Sequence, residues 1–452
     1  MIRNFLVKSL LLSILISSCL NLFAQSEIDF ARIDSVLKYF YTSNKMMGSA
    51  AIARNNKILF SRAYGYAEIN DNNKLPADIN TKYRIGSITK MFTAVMIFQL
   101  IEEKKLSLNT PLSNFFPNIP NAGKITIADL LDHHSGLHNF TNDPDYLTWY
   151  TKPKTKKEIL NIFEHDKPDF QPAEKGEYSN TNYVLLGYII EKITHDSYSN
   201  ELRNRILNKI NLKNTYYGYK IDTNNNETYS YTWKDSSWKQ EPETDMSIPG
   251  GAGSIVSDPE DLIQFIDALF HGKLIDKEYL KEMTTLKDNF GMGIFNFPFY
   301  GRYSFGHTGG IDGFESFISY FPDDRLAFAF CSNGMNYTMN DILIGVLSIY
   351  YNKPYNFPDF KTINLSKDEL SRFEGIYSSA ALPLLITIKL NGTTLTAQAT
   401  NQSAFPLSAV NGTEFKFDAA GIVITFTKVK NGQFKEFTLK QGGRAYVYTR
   451  QK

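Results

Sequence analysis

The chain has 452 residues, of which 42% are hydrophobic and 21% are charged. That length exceeds what one hydrophobic core normally supports, and the composition is too apolar for a disordered chain, so we expect two folded domains. Lysine plus arginine (48) nearly balances aspartate plus glutamate (47). The charges form no long run of one sign, which excludes the basic surface of a typical nucleic-acid-binding protein.

The first 24 residues have the pattern of a signal peptide, with a basic start, an apolar run over residues 9–16 and a cleavage-like Ala24-Gln25. The apolar run is too short to span a bilayer, and no later segment reaches about 18 uninterrupted apolar residues. We therefore expect an exported protein, periplasmic or secreted, with no transmembrane segment in its mature form. Residues 16–19 also resemble a lipoprotein cleavage box, so a lipid anchor at Cys19 is the alternative.

Cys331 is the only cysteine besides Cys19. Because Cys19 is removed or lipidated in either case, no structural disulfide is expected. Cys331 follows the apolar run 326–330, which predicts a buried, inert thiol.

Residues 25–355 alternate strand and helix patterns. Apolar runs at 50–53 and 58–60 flank a polar turn and predict a hairpin, and runs at 314–321 and 326–332 predict a second one. The segment Ile88–Lys104 is apolar on almost every side, which indicates a buried helix. Strands near both ends and helices between them predict an α+β fold, in which helices flank an antiparallel sheet.

Residues 356–452 are expected to form a separate all-β domain. Two prolines between residues 352 and 360 are typical of a linker. Beyond them, Asn-Gly pairs begin at residues 391, 411 and 431 and predict tight hairpin turns, because both residue types tolerate positive φ. These turns separate short β-runs at 385–390, 414–417, 422–426 and 437–439. The regular spacing predicts a meander that curls into a small barrel, without a catalytic constellation.

The pattern Ser-x-x-Lys occurs three times, beginning at Ser35, Ser87 and Ser236. Only Ser87 opens the predicted buried helix. Residues three apart share a helix face, so Lys90 can reach the Ser87 hydroxyl, and burial lowers the pKa of a lysine toward that of a base. We therefore interpret Ser87 as the nucleophile and Lys90 as its proton partner.

Tyr-Ser-Asn occurs twice, at Tyr178 and at Tyr198. Tyr178 follows a turn-rich segment and precedes the apolar helical run 183–193, whereas Tyr198 lies in a polar stretch after that run. A tyrosine beside a lysine can be a phenolate or can relay a proton. Asn180 can hold Lys90 or bind a substrate amide.

His-x-Gly also occurs twice, at residues 134–136 and 307–309. The second copy borders the predicted strand that ends at Phe321. An edge strand there would lie beside the nucleophile, with Gly309 and Gly310 allowing close approach and the amide of Gly310 completing an oxyanion hole.

In this order, Ser87-Ile88-Thr89-Lys90, Tyr178-Ser179-Asn180 and His307-Thr308-Gly309 resemble the Ser-x-x-Lys, Tyr-x-Asn and Lys/His-Thr-Gly motifs of the serine β-lactamase-like family. That family includes class C β-lactamases, D-alanyl-D-alanine carboxypeptidases, D-aminopeptidases and esterases. The resemblance covers about residues 30–350, and the C-terminal part is similar to a β-barrel appended to many of these hydrolases.

The resemblance implies a penicillin-binding-protein-like fold and an acyl-enzyme mechanism on a small-molecule or peptide acyl substrate. It implies catalytic roles for Ser87, Lys90 and Tyr178, and no cofactor. The expected substrate-binding residues are Asn180, His307, Thr308, Gly309 and Gly310.

His307 departs from the β-lactamase pattern, which has lysine there. Imidazole has an ordinary pKa of about 6.5, so it anchors a substrate carboxylate less well than an ammonium does. We therefore expect an esterase or D-amino-acid peptidase-like enzyme, with β-lactamase or carboxypeptidase activity as the alternative. If His307 lines the site, its charge should change near neutral pH.

The sequence also offers a metal site and a non-catalytic sensor as alternatives. Asp132, His133, His134 and His138 form a histidine-rich segment, but adjacent histidines point apart on regular backbone, so we expect no metal site. A non-catalytic sensor that binds acyl ligands or cell-wall fragments is the alternative of another class. The intact Ser87, Lys90 and Tyr178 argue against it.

Overall fold

The computed structural model describes residues 28–70, 74–400 and 402–451. The expected signal segment and the alternative lipid anchor at Cys19 lie outside the described residues. Within them, no helix combines the length and apolar character needed to cross a membrane.

The first part of the chain contains thirteen described strands. They are β1 (Met46–Arg54), β2 (Lys57–Tyr64), β3 (Tyr66–Ile69), β4 (Lys74–Pro76), β5 (Tyr83–Arg84), β6 (Tyr216–Tyr217), β7 (Tyr231–Lys234), β8 (Ser237–Gln240), β9 (Ile255–Ser257), β10 (Phe295–Phe299), β11 (Arg302–Ile311), β12 (Phe314–Phe321) and β13 (Leu326–Met335).

The main sheet joins the two ends of this part in the order β10-β11-β12-β13-β1-β2, with every pair on this path antiparallel. The hairpin β7–β8 extends it through a short parallel pairing with β13. Both predicted hairpins, β1–β2 and β12–β13, are confirmed. Two small sheets, β3–β4 and β5–β9–β6, stand apart from the main one.

Helices cover both faces of the main sheet. They are α1 (Phe30–Thr42), α2 (Thr89–Glu102), α3 (Ile127–Leu131), α4 (Tyr146–Trp149), α5 (Lys156–His165), α6 (Asn180–Thr194), α7 (Tyr198–Leu202), α8 (Asn208–Ile210), α9 (Pro259–Phe270), α10 (Lys277–Thr284) and α11 (Met339–Tyr350). A π-helical turn (Arg203–Leu207) joins α7 to α8, and single 3-10 turns occur at 86–88, 112–114, 140–142, 223–225 and 250–252.

Two apolar clusters pack on the two faces of the sheet. The larger one surrounds α2, whose residues 89–100 are all buried, and it includes α6 and α9. Its apolar surroundings explain why α2 has no polar face. The smaller cluster packs α1 and α11 on the opposite face. Cys331 belongs to the larger cluster as a free, fully buried thiol, as predicted. The predicted α+β class is confirmed.

The C-terminal part begins with a short helix, α12 (Lys367–Ser371), and continues as an eight-stranded closed barrel. Each strand pairs with its neighbours in sequence, and β14 pairs with β21 to close the ring. The strands are β14 (Gly375–Ser378), β15 (Ile386–Asn391), β16 (Thr394–Ala399), β17 (Phe405–Ala409), β18 (Glu414–Phe417), β19 (Ile422–Lys430), β20 (Gln433–Gln441) and β21 (Arg444–Arg450).

The predicted β-runs correspond to β15, β18, β19 and β20. Asn431 and Gly432 both have positive φ in the β19–β20 turn, as the Asn-Gly signal requires. Sequence patterns missed the other four strands. For β17 the reason is Pro406, which disfavours a strand assignment even though the barrel accommodates it.

The proline-containing segment between the two parts is bound to α1. Tyr39 Oη donates to the Pro358 carbonyl at 2.9 Å, and its ring stacks on Phe360. A nearby ion pair joins Lys45 to Asp418 of the barrel at 2.7 Å. The segment therefore packs against the sheet-and-helix part and does not behave as a free linker.

Candidate active site

Ser87 lies in a tight turn between β5 and α2. The 3-10 turn Gly86–Ile88 contains it and leads directly into α2, so the predicted position at the start of the buried helix is confirmed. Gly86 has φ +50°, and a Cβ there would come within 2.8 Å of the Gly310 nitrogen. Because only glycine fits, the turn that contains Ser87 can pack directly against β11.

Lys90 is fully buried one helical turn after Ser87. Its Nζ lies 3.0 Å from Ser87 Oγ and donates to Asn180 Oδ1 and to the Ala252 carbonyl, both at 2.8 Å. The two carbonyl oxygens use two N–H groups of the amine. The third tetrahedral position of the nitrogen therefore faces the Ser87 hydroxyl.

The surroundings of Lys90 favour its neutral form. Burial lowers the lysine pKa well below its ordinary value, because the ammonium loses its hydration. The described carboxylates form no ion pair with it, and its contacts are neutral oxygens and the rings of Tyr178 and Tyr183, at 4.9 and 5.6 Å. A neutral amine can accept the proton of Ser87 while it keeps both of its carbonyl partners.

Tyr178 contacts the same serine from the other side. Its Oη donates to Ser87 Oγ at 2.7 Å, and burial raises the tyrosine pKa above its ordinary value. Of the two expected forms, the structure favours the phenol, which relays a proton, over the phenolate. The His133 ring packs against the Tyr178 ring at 4.5 Å and holds it in place.

Asn180 is the first residue of α6 and is held at three points. Its Oδ1 accepts from Lys90, its Nδ2 donates to Thr141 Oγ1 at 3.1 Å, and its backbone nitrogen donates to Asn139 Oδ1 at 3.0 Å. Of the two expected roles, the geometry supports the one in which Asn180 orients Lys90.

Strand β11 carries residues 307–310 past the serine turn. A Cβ on Gly309 would overlap the Ile85 carbonyl, whereas nothing lies within 4 Å of a Cβ on Gly310. Close approach therefore depends on Gly309 and Gly86, and the expectation that Gly310 also permits it is wrong. Gly310 instead lines the cavity together with Ser87, while Thr308 is half-buried and does not line it.

His307 is buried and does not line the cavity. Its ring packs edge-on against Phe295 at 4.8 Å and lies 6.5 Å from the Tyr178 ring. Burial, together with the nearby Lys90, lowers the His307 pKa to about 3. The expectation that its charge changes near neutral pH is wrong, because the strand places this side chain in an apolar interior and not in solvent.

A cavity of about 340 Å³ opens in front of Ser87. Its lining includes the aromatic residues Phe140, Tyr146 and Tyr150 and the acidic residues Glu241 and Asp312, and none of its described lining residues is lysine or arginine. Arg84, which is buried behind the wall, forms an ion pair with Asp312 at 3.0 Å. Glu241 forms no ion pair within the described residues; its Oε1 accepts from Thr232 at 2.5 Å.

The competing motif copies lie elsewhere. Ser35 is in α1 and donates back to the Ala31 carbonyl, and Ser236 is in the exposed β7–β8 turn. Tyr198 contacts the back of α2 through Thr93 at 2.7 Å. In the copy at 134–136, the His134 Nε2 pairs with Asp288.

The histidine-rich segment forms no cluster of three metal-binding side chains within the described residues. His133 instead accepts the backbone N–H of Ser179 at 3.2 Å, and His138 pairs with Asp143 and Asp169. These contacts join the segment to the loop that carries Tyr178.

Sequence reasoning missed three contacts that support the candidate catalytic residues, namely those of His133 with Tyr178, of Thr141 with Asn180 and of the Ala252 carbonyl with Lys90. It also missed the cavity-lining residues Tyr150, Glu241 and Asp312. A backbone acceptor has no side-chain signature. Only the glycines that surround Ala252, at 250, 251 and 253, mark a place where the backbone approaches closely.

The family model described as Beta-lactamase matches residues 39–345, about two thirds of the chain. The chain belongs to the Beta-lactamase family. Among curated Beta-lactamase relatives, penicillin-binding protein 4* of Bacillus subtilis is 29% identical over 73% of this chain and 79% of its own length. The teichoic acid D-alanine hydrolase of Staphylococcus aureus is 28% identical over 72% and 79%, respectively.

Solved structures agree with this Beta-lactamase assignment. A D-amino acid amidase from Ochrobactrum anthropi SV3, complexed with L-phenylalanine amide, superposes with a TM-score of 0.63 at 27% identity, covering 71% of this chain and 98% of that one. A penicillin-binding protein homologue from Pyrococcus abyssi has a TM-score of 0.64 at 23% identity. It covers 93% of this chain and 100% of its own, so the shared fold extends into the barrel. The predicted class, a serine hydrolase for ester or amide bonds, is confirmed.

Proposed function

We propose that this enzyme forms an acyl-enzyme on Ser87, with Lys90 and Tyr178 as its proton carriers. The observation that carries the proposal is one serine hydroxyl held between a desolvated amine at 3.0 Å and a phenol at 2.7 Å. When the amine is neutral, the serine can donate its proton to Lys90 Nζ while it accepts one from the Tyr178 phenol, which is the state needed before attack.

In the first step, Ser87 Oγ attacks the substrate carbonyl carbon and gives its proton to Lys90 Nζ. The bond to the leaving oxygen or nitrogen breaks, and Tyr178 Oη supplies the proton that the leaving group needs. In the second step, water attacks the acyl-enzyme and gives a proton to the Tyr178 phenolate. Ser87 Oγ then leaves the acyl group and recovers its proton from Lys90, so both carriers return to their starting states.

We assign the negative charge that develops on the carbonyl oxygen to the edge of β11. Gly310 lines the cavity beside Ser87 and has open space where a Cβ would be. A backbone amide there can approach the oxygen without steric hindrance, and the N-terminus of α2 also favours negative charge. Thr308, Gly309 and the buried His307 shape this strand edge.

We propose a substrate whose acyl group carries a free ammonium, as a D-amino acid ester or amide does. Support comes from the cavity wall, where Glu241 presents a carboxylate without an ion pair and no described lining residue supplies the cation that a free carboxylate prefers; Asp312 is already paired with Arg84. Tyr150 lines the same cavity and adds a ring surface for a cation. The names of the D-alanine hydrolase and the D-amino acid amidase agree with this class.

A fluorophosphonate probe tests the nucleophile. We expect labelled wild type and an unlabelled Ser87→Ala variant. Ser35→Ala and Ser236→Ala are matched controls, because each removes the serine of another Ser-x-x-Lys copy, and both should label fully. A folded wild type that resists the probe would favour the non-catalytic sensor, and labelled Ser87→Ala would reject the assignment.

Paired substrates test the acyl preference. We expect D-phenylalanine amide to react faster than its N-acetyl derivative, and Glu241→Gln to reduce that preference about fivefold by raising KM, as the loss of a partly exposed ion pair would. Thr232→Val is the control, since it removes a neighbour of Glu241 and keeps the charge. Faster turnover of a chromogenic cephalosporin, or of a peptide ending in D-alanyl-D-alanine, would support the β-lactamase or carboxypeptidase alternative instead.

We also propose that the enzyme acts outside the cytoplasm. The signal pattern in residues 1–24 and the cell-wall names of the curated relatives support this location. Fractionation of cells that express the full chain should recover activity outside the cytoplasm. If the lipid anchor exists, a labelled fatty acid will be incorporated into the wild type and not into Cys19→Ala; if it does not exist, neither protein will incorporate the label.

A further inference from the structure

The C-terminal barrel is filled unevenly along its axis. Toward one end, the Phe373 ring stacks on Phe434 at a centroid distance of 4.5 Å and contacts Phe426 at 4.7 Å and Phe415 at 4.8 Å. All four rings are buried. This end is therefore a packed aromatic core, as expected for a small barrel whose interior is just wide enough for side chains.

The other end of the barrel contains a cavity of about 440 Å³. It lies where β19 and β21 begin and β20 ends, beyond the stacked pair Phe437 and Tyr448. Its wall includes Ile386, Phe405 and Leu439. A volume of this size lies within the range of about 300–1,000 Å³ that is typical of small-molecule sites. It is much larger than the volume of one water molecule, which is about 30 Å³.

Three of the polar side chains that line this cavity lie along one strand, and Gln402 and Gln441 also line it. Arg444, Tyr446 and Tyr448 alternate on β21 and all face the cavity. Tyr448 is only 1% exposed, yet its hydroxyl makes no hydrogen bond within the described residues. The hydroxyl oxygen is not itself enclosed, because it borders the open space of the cavity, where an occupant can supply a hydrogen-bond partner.

The charge at the cavity rim is positive. Arg444 is exposed at the start of β21 and has no ion-pair partner among the described residues, and the cavity's described lining contains no aspartate or glutamate. The distance from Arg444 to Tyr448 along the strand is about 14 Å, four residues at about 3.4 Å each. The cavity is therefore long, apolar inside and cationic at its rim.

We propose that the barrel binds one medium-length acyl chain that ends in a carboxylate, with the chain among the aliphatic walls and the carboxylate at Arg444. This ligand site is separate from the cavity in front of Ser87. Its occupant need not be a substrate, since no nucleophile with a proton partner lies in the barrel cavity.

Calorimetric titration of the full chain with dodecanoate tests the proposal, with dodecanol as the uncharged ligand of equal chain length and acetate as the headgroup alone. We expect one dodecanoate site, weaker binding of dodecanol and no measurable binding of acetate. Arg444→Gln should weaken dodecanoate about fivefold and leave dodecanol within about twofold, as the loss of an exposed ion pair would. Lys440→Gln is the matched control, because Lys440 is a neighbouring exposed cation that does not line the cavity.

Ala399→Trp fills the cavity and should abolish binding of both ligands while hydrolysis continues. Ser87→Ala should bind dodecanoate like wild type, so failure of the proposed catalytic function leaves this result unaffected. Absence of dodecanoate binding to the folded wild type would overturn the proposal. So would binding that neither Arg444→Gln nor Ala399→Trp changes, since the ligand would then occupy another surface.

Discussion

The two β-rich parts of the molecule differ in how many polar side chains they bury. Around α2, the amine of Lys90 is buried against polar partners from α6 and the 250–252 turn. In the barrel, Lys416 is the single described side chain beyond residue 360, tyrosines aside, that is both polar and buried, and it binds the Asp359 carbonyl. The contrast agrees with the proposed location of the chemistry at Lys90, because a desolvated polar group is stable only where partners from several elements contact it.

The largest expected effect tests the catalytic side of this comparison. Lys90→Gln should lower kcat/KM by about 10³-fold or more, because an amide cannot accept the Ser87 proton. Lys38→Gln is the control, since Lys38 is the lysine of the Ser35 copy, and it should retain full activity. Steady-state kinetics measure kcat/KM of both variants, and circular dichroism checks that both are folded. Retention of more than about a tenth of wild-type activity by folded Lys90→Gln would remove Lys90 from the mechanism.

Tyr178→Phe removes one oxygen and keeps the ring that packs on His133. We expect kcat/KM to fall by about 10²-fold, a typical loss for a positioned proton donor, while the melting temperature changes little. The loss should be smaller for an ester with a good leaving group, which needs less protonation, than for an amide. Equal losses on both substrates would mean that Tyr178 only positions Ser87.

Phe373→Ala tests how the barrel contributes to stability and whether it is needed for activity. Removing a fully buried ring from the aromatic end of the barrel should lower the free energy of unfolding by about 3–5 kcal/mol. If the barrel unfolds independently, denaturant titration will show a separate early transition, while kcat/KM below that transition stays at the wild-type value. A parallel loss of activity at low denaturant would show that the two parts unfold together.

A chain shortened after Phe360 tests the proposed division at residues 355 and 356 more directly. It retains the segment that packs on α1 but loses the Lys45–Asp418 pair, an ion pair whose partners are about 15% exposed. We expect a folded enzyme with activity within a few-fold of wild type, because no barrel residue lines the cavity at Ser87. Complete inactivity of a folded, shortened chain would contradict this independence.

The smallest expected effect concerns pH. Because burial lowers the Lys90 pKa, the amine is protonated and inactive at low pH, and kcat/KM should rise as pH increases through that pKa. His307 is uncharged above about pH 3, so it should add no limb at neutral pH. His307→Gln should therefore leave the midpoint of the acid limb within about 0.5 pH unit of wild type. A larger displacement would show that the imidazole carries charge in the working enzyme.

Much of this fold could be predicted because its signals are local. Local patterns of adjacent residues predict the apolar helix α2, the hairpins β1–β2 and β12–β13, and the Asn-Gly turns. In the helix and the strands, the periodicity of the side chains indicates which face is buried. Strand β17 was not predicted because proline is rare within strands, and Pro406 lies in it. The strand forms because it pairs with β16 and β18 in the closed barrel. The packing of the 352–360 segment on α1 was missed for the same reason, since its aromatic partners lie over 300 residues away.

The candidate site also has features that the sequence predicts and features that depend on the tertiary structure. By itself, the sequence determined the order and setting of Ser87, Lys90, Tyr178 and Asn180, because each motif stands beside its own helix or turn. Only the tertiary structure decided which charges exist there. Lys90 and His307 lose their hydration when distant elements pack around them, which lowers the pKa of each. Proton affinity depends on the whole surroundings of a group, and those surroundings come from parts of the chain that no local pattern connects.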